Sequence, residues 1–240
     1  LLSGLAAPPC LDANGQLVPV GGPGEACPAG SQRQFQPVTD IHIGVISSSL
    51  GGHGSDACAT SGAGKQSNND KGHLLDRVDP SSAGTVPTYQ GKGFLAWDPT
   101  QQMSPPGEAD AVALGTAFAE LIVGAGQIGC GYESQLESVY RFLADPAPYD
   151  QITLDQNASI VKSGVDTALL EQRKAFLRPD SLLVVLSLSD ENDCSTKEEG
   201  QFYFANQQKS GNGSPFHLPK ARAVCASNPN DECCFSCGQA

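Results

Sequence analysis

Apolar residues change their spacing several times along the chain, and each change marks a different element. From Asp110 to Val123 they recur at Val112, Leu114, Phe118, Leu121 and Ile122 among good helix formers. That spacing predicts a helix closed by Gly124. A second helix is predicted over Tyr132–Leu143, where Leu136, Val139, Tyr140 and Leu143 share a face and Pro146 and Pro148 bar continuation. A third runs over Val165–Leu177, with Leu169, Leu170, Ala175 and Phe176 apolar, until Arg178-Pro179-Asp180 breaks it. Three stretches lack the helical period. Asp40–Gly52, DIHIGVISSSLGG, is rich in β-branched residues and runs out into Ser and Gly, which reads as a strand and its exit. Gly93–Asp98, GFLAWD, is a short apolar strand candidate. Leu182–Leu188 is a near-continuous apolar run, the pattern of a strand buried on both faces. It emerges into the acidic loop Ser189–Ser195. Residues 51–90 read as one long loop, rich in Gly, Ser, Asn, Asp and Pro.

Strands alternating with helices predict an α/β fold: a doubly wound, mostly parallel sheet with helices on both faces. Ligands of such sheets bind beyond the carboxyl ends of the strands, which is where Asp190, Glu191 and Asp193 would lie. A length of 240 residues is enough for a substantial core. The formal charge of −12 argues against nucleic acid or an anionic membrane as partner and is compatible with divalent cations or basic partners. No run of 18 apolar residues is present, so no membrane-spanning helix is expected. The nine cysteines suit an oxidising compartment. Cys10 and Cys27 bracket a Pro- and Gly-rich loop over 10–37 and are expected to staple it. Cys234-Phe-Ser-Cys237 has the spacing of half a zinc site, but no second such pair and no paired histidines follow, which favours disulfides over zinc. An odd count leaves one cysteine free or paired elsewhere. The opening LLSGLAAPPC reads as the tail of a helix, so further residues are expected before it.

Two motifs carry candidate chemistry. Gly124, Gly126 and Gly129 spell G-x-G-x-x-G, the printed form of a dinucleotide-binding turn. That turn needs a strand before it and an acidic residue closing another strand some 20 residues on. Here a helical period leads in, and a helix ending at Asp145 follows, so the glycines read better as a helix-to-helix connection with Gly124 as its cap. The second motif is Ser189-Asp190-Glu191-Asn192-Asp193-Cys194-Ser195. Its oxygens suit Mg²⁺ or Ca²⁺, and a solvated acidic turn is the alternative. A serine-hydrolase elbow is absent, and His42, His53, His73 and His217 are scattered, with no HExxH among them.

The segments DIHIGVISSSLGG, GCGYESQLESVYRFL and FLRPDSLLVVLSLSDENDCS together resemble a von Willebrand factor A-like domain. The likeness is greatest to the Cys-containing versions in secreted or envelope proteins of myxobacteria and related bacteria. The resemblance covers residues 1–200, leaves 201–240 as a Cys-rich extension, and implies a doubly wound sheet whose first strand is missing from this chain. It also implies a metal-ion-dependent adhesion site built from three loops. Asp190 matches the third-loop Asp, and Gly129-Cys130-Gly131 matches the Gly-rich loop, with Cys130 near the place of the family's Thr. The D-x-S-x-S loop is not in the chain. Little affinity for Mg²⁺ or Ca²⁺ is therefore expected here, although a longer protein could hold the ion. If the two remaining loops converge, Cys130 and Cys194 come close and are expected to form a disulfide. The function implied is a non-enzymatic binding or adhesion module, secreted, periplasmic or at the cell surface. It would engage a protein or surface ligand through the loop carrying Glu191, Asp193 and Ser195. Two alternatives remain: an NAD(P)-dependent oxidoreductase using the glycine turn, and a purely structural domain.

Overall fold

The computed structural model describes residues 2–20, 25–60, 65–127, 129–157 and 159–197, with Gly213, 224–228 and Asp231. The expected extension over 201–240 therefore lies almost wholly outside the described residues. Helix α1 (Leu2–Ala6) leads into a three-stranded antiparallel sheet of β1 (Cys10–Asp12), β2 (Leu17–Val18) and β3 (Ser31–Arg33), ordered β2-β1-β3. The β1–β2 turn closes on Asp12, whose Oδ1 accepts the amides of Asn14 and Gln16. The Cys10–Cys27 disulfide ties the loop before β3 back to β1.

The centre of the molecule is a second antiparallel pair, β4 (Ile41–Gly44) with β5 (Phe94–Trp97), in the register Ile41↔Trp97 to Gly44↔Phe94. Alternation along these strands sends side chains to two faces, and helices cover both. On one face Ile41, Ile43, Val45, Leu95 and Trp97 pack with Leu114, Phe118 and Leu121 of α2 (Ala111–Ala125). On the other, Phe94 and Ile46 meet Phe142 of α3 (Gln135–Leu143) and Leu169 and Phe176 of α4 (Thr167–Phe176). His42 joins this second face, its ring centroid 4.5 Å from that of Phe94. Removing side chains such as Phe94, Leu121 and Leu169 from water contributes about 1.5–3 kcal/mol each. Between α3 and α4 lies the hairpin β6 (Gln151–Leu154) and β7 (Ile160–Ser163), and a short α5 spans Val224–Ser227.

The three helices form where the apolar period predicts them, and two of them, α2 and α4, start on a local cap. Asp110 Oδ1 accepts the amides of Val112 and Ala113 and starts α2, and Gly126, at φ 77°, ends it. Asp166 Oδ1 accepts the Leu169 amide and starts α4.

The doubly wound, mostly parallel sheet is not what the chain forms. Every pairing between two strands among the described residues is antiparallel, the isolated bridge Trp97↔Glu108 being parallel, and no sheet among them exceeds three strands. Leu182–Leu188, expected as a strand buried on both faces, pairs with no strand among the described residues and lies exposed, Leu182 by 89% and Leu188 by 86%. An apolar run specifies that a segment gains by burial. It does not supply the neighbouring strand edge, and among the described residues β4 pairs with β5 alone. The expected long loop over 51–90 is not free either. The Cys58–Cys130 disulfide and Arg77, whose Nε donates to the Gly124 carbonyl at 2.6 Å, hold it to the rest of the fold, and within the loop Arg77 also donates to both oxygens of Asp70 at 2.5 and 2.9 Å.

Candidate functional site

The acidic loop and the start of α3 meet. Ser134, the residue before α3, provides no side-chain cap, and the loop provides one from a distance. Asp193 Oδ1 accepts the Leu136 amide at 3.2 Å, and Ser195 Oγ accepts the Glu137 amide at 2.7 Å while donating to Asp193 Oδ1. Gln135 Nε2 donates to Ser189 Oγ at 2.7 Å, and the Cys194 amide donates to the Glu133 carbonyl at 2.6 Å. Two amides that a helix start leaves without intrahelical partners are thus satisfied, and the carboxylate of Asp193 faces the positive end of the helix dipole. Asp190 and Glu191 take no part in this. Both are exposed, and neither carboxylate has a hydrogen bond or ion pair among the described residues.

The expected Cys130–Cys194 disulfide is not formed. Cys130 is bonded to Cys58, with 5.4 Å between Cα atoms, and Cys194 has no sulfur partner among the described residues. The cause lies in the backbone around Cys130. The Ser134 amide donates to the Ser48 carbonyl, and Ser49 bridges to Glu133, so 129–134 lies along the exit of β4 beside the loop that carries Cys58. The sulfur at the place of the family's Thr is therefore locked in a covalent bond. A Mg²⁺ site needs near-octahedral oxygen ligands, and the oxygens left here are those of Asp190 and its exposed neighbour Glu191. No three His, Cys, Asp or Glu side chains converge as a metal site among the described residues. The donor set does not fit the ion.

The glycine turn is filled by protein. Gly124 lies in the last turn of α2, where a Cβ would stand 1.9 Å from the carbonyl oxygen of Arg77. Arg77 Nε donates to the Gly124 carbonyl at 2.6 Å. A Cβ on Gly126 would meet Pro80 Cγ at 2.1 Å, and one on Gly129 would meet Ser49 Oγ at 2.6 Å. The turn also sits at a helix C-terminus, whose carbonyls repel a phosphate that a helix N-terminus would attract.

The polar pairs that sequence spacing does not reveal are buried ones. His53 Nε2 lies 3.5 Å from Ser134 Oγ across 81 residues, and both are buried, so the hydroxyl is closed to a substrate. His73 Nε2 and Asp166 Oδ2 are 2.7 Å apart, and Arg141 Nη2 approaches the same oxygen at 3.4 Å. Burial pushes the Asp166 carboxyl up, but the hydrogen bonds from His73 and the Leu169 amide outweigh it and hold the group below the ordinary carboxylate range. The His42 pKa is also lowered, here by burial, which favours the neutral ring despite the Phe176 carbonyl that its Nδ1 contacts at 2.8 Å. These groups tie α3, α4 and the 71–73 turn together.

The chain matches no family model, no curated protein and no solved structure. Among the described residues no helix is long and apolar enough to cross a membrane. Two disulfides are present among the described residues, a chemistry that persists in oxidising compartments.

Proposed function

We propose that the chain is a non-enzymatic binding module that works outside the cytoplasm, in the envelope or beyond it, and engages a protein or surface ligand with its acidic loop. The observation that carries this reading is a division of labour within one loop. Ser189, Asp193 and Ser195 fasten it to the first turn of α3, and Asp190 and Glu191 stay exposed and uncommitted. A loop so anchored presents its charges without a large ordering cost on binding. With a net charge of −12, a basic surface is the complementary partner. Catalysis is not part of the reading, because the Ser–His contact is buried and the glycine turn is occupied by Arg77 and Pro80.

Titration with oligolysine, followed by amide chemical shifts, tests the surface. Shifts should gather on 189–195 and the start of α3 and vanish in Asp190→Ala/Glu191→Ala. Shifts scattered over the whole acidic surface would reject a specific site. Calorimetric titration with Mg²⁺ should show no micromolar binding. Such binding, abolished by Asp190→Ala, would restore the metal-dependent reading.

A further inference from the structure

The strands β6 and β7 are joined by the sequence Asp155-Gln156-Asn157-Ala158-Ser159. Leu154 pairs with Ile160 at its base, and the Asp155 amide donates to the Ser159 carbonyl at 2.9 Å. Asp155 Oδ1 accepts the amides of Asn157 and Ser159, each at 2.8 Å. One carboxylate oxygen thus holds the turn through main-chain groups. The side chains of Asn157 and Ser159 are left out of it. Both residues are exposed, and neither the Asn157 carboxamide nor the Ser159 hydroxyl has a hydrogen bond among the described residues. Asn157 and Ser159 stand at the spacing Asn-x-Ser, with Ala rather than Pro between them, which is the acceptor sequence for N-linked glycans. The same spacing recurs at Asn212-Gly213-Ser214, where Asn212 and Ser214 lie outside the described residues.

We propose that the folded chain presents Asn157 as an acceptor of an N-linked glycan. Its use in the cell rests on the extracytoplasmic reading above, because the transferases work outside the cytoplasm. The donor is a polyprenyl-diphosphate-linked oligosaccharide. Asn157 Nδ2 attacks the anomeric carbon of the first sugar, and an N–C bond forms there. The bond from that carbon to the diphosphate oxygen breaks, and polyprenyl diphosphate leaves. The amide gives up one proton, which passes to a carboxylate of the transferase and on to solvent. Nothing is oxidised or reduced. The product is bulky and hydrated, and an exposed turn takes it without displacing a packed side chain. The transferase must reach the carboxamide and the hydroxyl two residues on at once, and both are open here. Bacterial transferases also require an acidic residue two places before the asparagine. Asp155 fills that place for Asn157, and Ser210 stands there for Asn212. Asp155 can serve both ends, since Oδ1 holds the turn and Oδ2 has no hydrogen bond among the described residues.

The test incubates the purified, disulfide-bonded full chain with a bacterial oligosaccharyltransferase that has the acidic requirement and with its polyprenyl-diphosphate oligosaccharide. Mass spectrometry of the tryptic peptides reads the outcome. Trypsin leaves Asn157 in peptide 142–162 and Asn212 in peptide 210–220. The first should gain the mass of one glycan and the second none. Asn157→Gln and Ser159→Ala change only exposed positions and should each abolish the gain. Asp155→Asn keeps an oxygen for the two amides and removes the charge, so it should fold and lose the gain. Asp155→Glu, which restores the charge, should recover it. Three results would overturn the proposal: a bare 142–162 in the folded chain, modification of 210–220 in its place, or a gain that survives Asn157→Gln. The transferase and donor are supplied, so these results do not depend on where the native protein resides. They are equally independent of whether Asp190 and Glu191 bind oligolysine, so failure of this site and failure of the binding-module reading are told apart.

Discussion

Gly124 and Gly115 lie in the same helix and differ in what stands over them. A Cβ at Gly124 meets the Arg77 carbonyl oxygen at 1.9 Å, and one at Gly115 meets nothing within 4 Å. Gly124→Ala should therefore destabilise the fold by about 3 kcal/mol through overpacking against backbone. Gly115→Ala should stabilise it by about 0.5–1 kcal/mol by reducing the freedom of the unfolded chain. Urea unfolding of both variants measures this, and equal effects would contradict the packing role of Gly124. Asp166 gives a pH dependence at the same scale. Its carboxyl is held below the ordinary range in the fold, so the folded state binds fewer protons than the unfolded chain in acid. The resulting stability is complete above the titration of an unfolded aspartate near pH ~4 and is lost as pH falls through the folded value. Asp166→Asn can still accept the Leu169 amide, and it should flatten the acid limb of a plot of Tm against pH. An unaltered limb would remove Asp166 from the account.

Helix α3 shows how much of an element is written locally. Its apolar face and the prolines beyond it are legible in the sequence, and its body is found at Gln135–Leu143. Its cap is not legible, because the capping groups lie almost 60 residues away, Leu136 pairing with Asp193 and Glu137 with Ser195. Asp193→Ala and Ser195→Ala should each cost about 1 kcal/mol, the worth of an ordinary N-cap, and should speed exchange in the first turn of α3. If α3 is unaffected, the contact is incidental. At the other end, Arg173 of α4 donates to the carbonyls of Arg141 and Phe142, so α3 is closed by other elements at both ends. The hairpin β6–β7 is the opposite case. Gln-Ile-Thr-Leu alternates in a half-exposed pattern too short to stand out, and pairing with Ile160–Ser163 makes it a strand.

For the whole molecule the decisive constraint is the Cys58–Cys130 bond, which spans 72 residues and joins the long loop to the approach of α3. Closing a loop of that length in the unfolded chain is worth about 4 kcal/mol on the chain-entropy model, against about 3 kcal/mol for Cys10–Cys27 with its separation of 17. Cys58→Ser/Cys130→Ser should therefore cost more stability than Cys10→Ser/Cys27→Ser in denaturant unfolding, and the reverse order would show that strain or residual structure governs. Composition alone implied an oxidising compartment, and the bracketing of one loop by Cys10 and Cys27 pointed to their bond, but Cys130 was expected with Cys194 and is found with Cys58. By itself the sequence determined the bodies of α2, α3 and α4 and the strands β4 and β5, because period, caps and breakers act within a few residues. It also determined that Leu182–Leu188 gains by burial. Only the tertiary structure decided that β5 runs antiparallel to β4, that Cys130 meets Cys58, and that the glycine turn is packed against Arg77 and Pro80. Each of these depends on which distant segments come side by side, a choice made by the summed packing of both faces of β4 and β5.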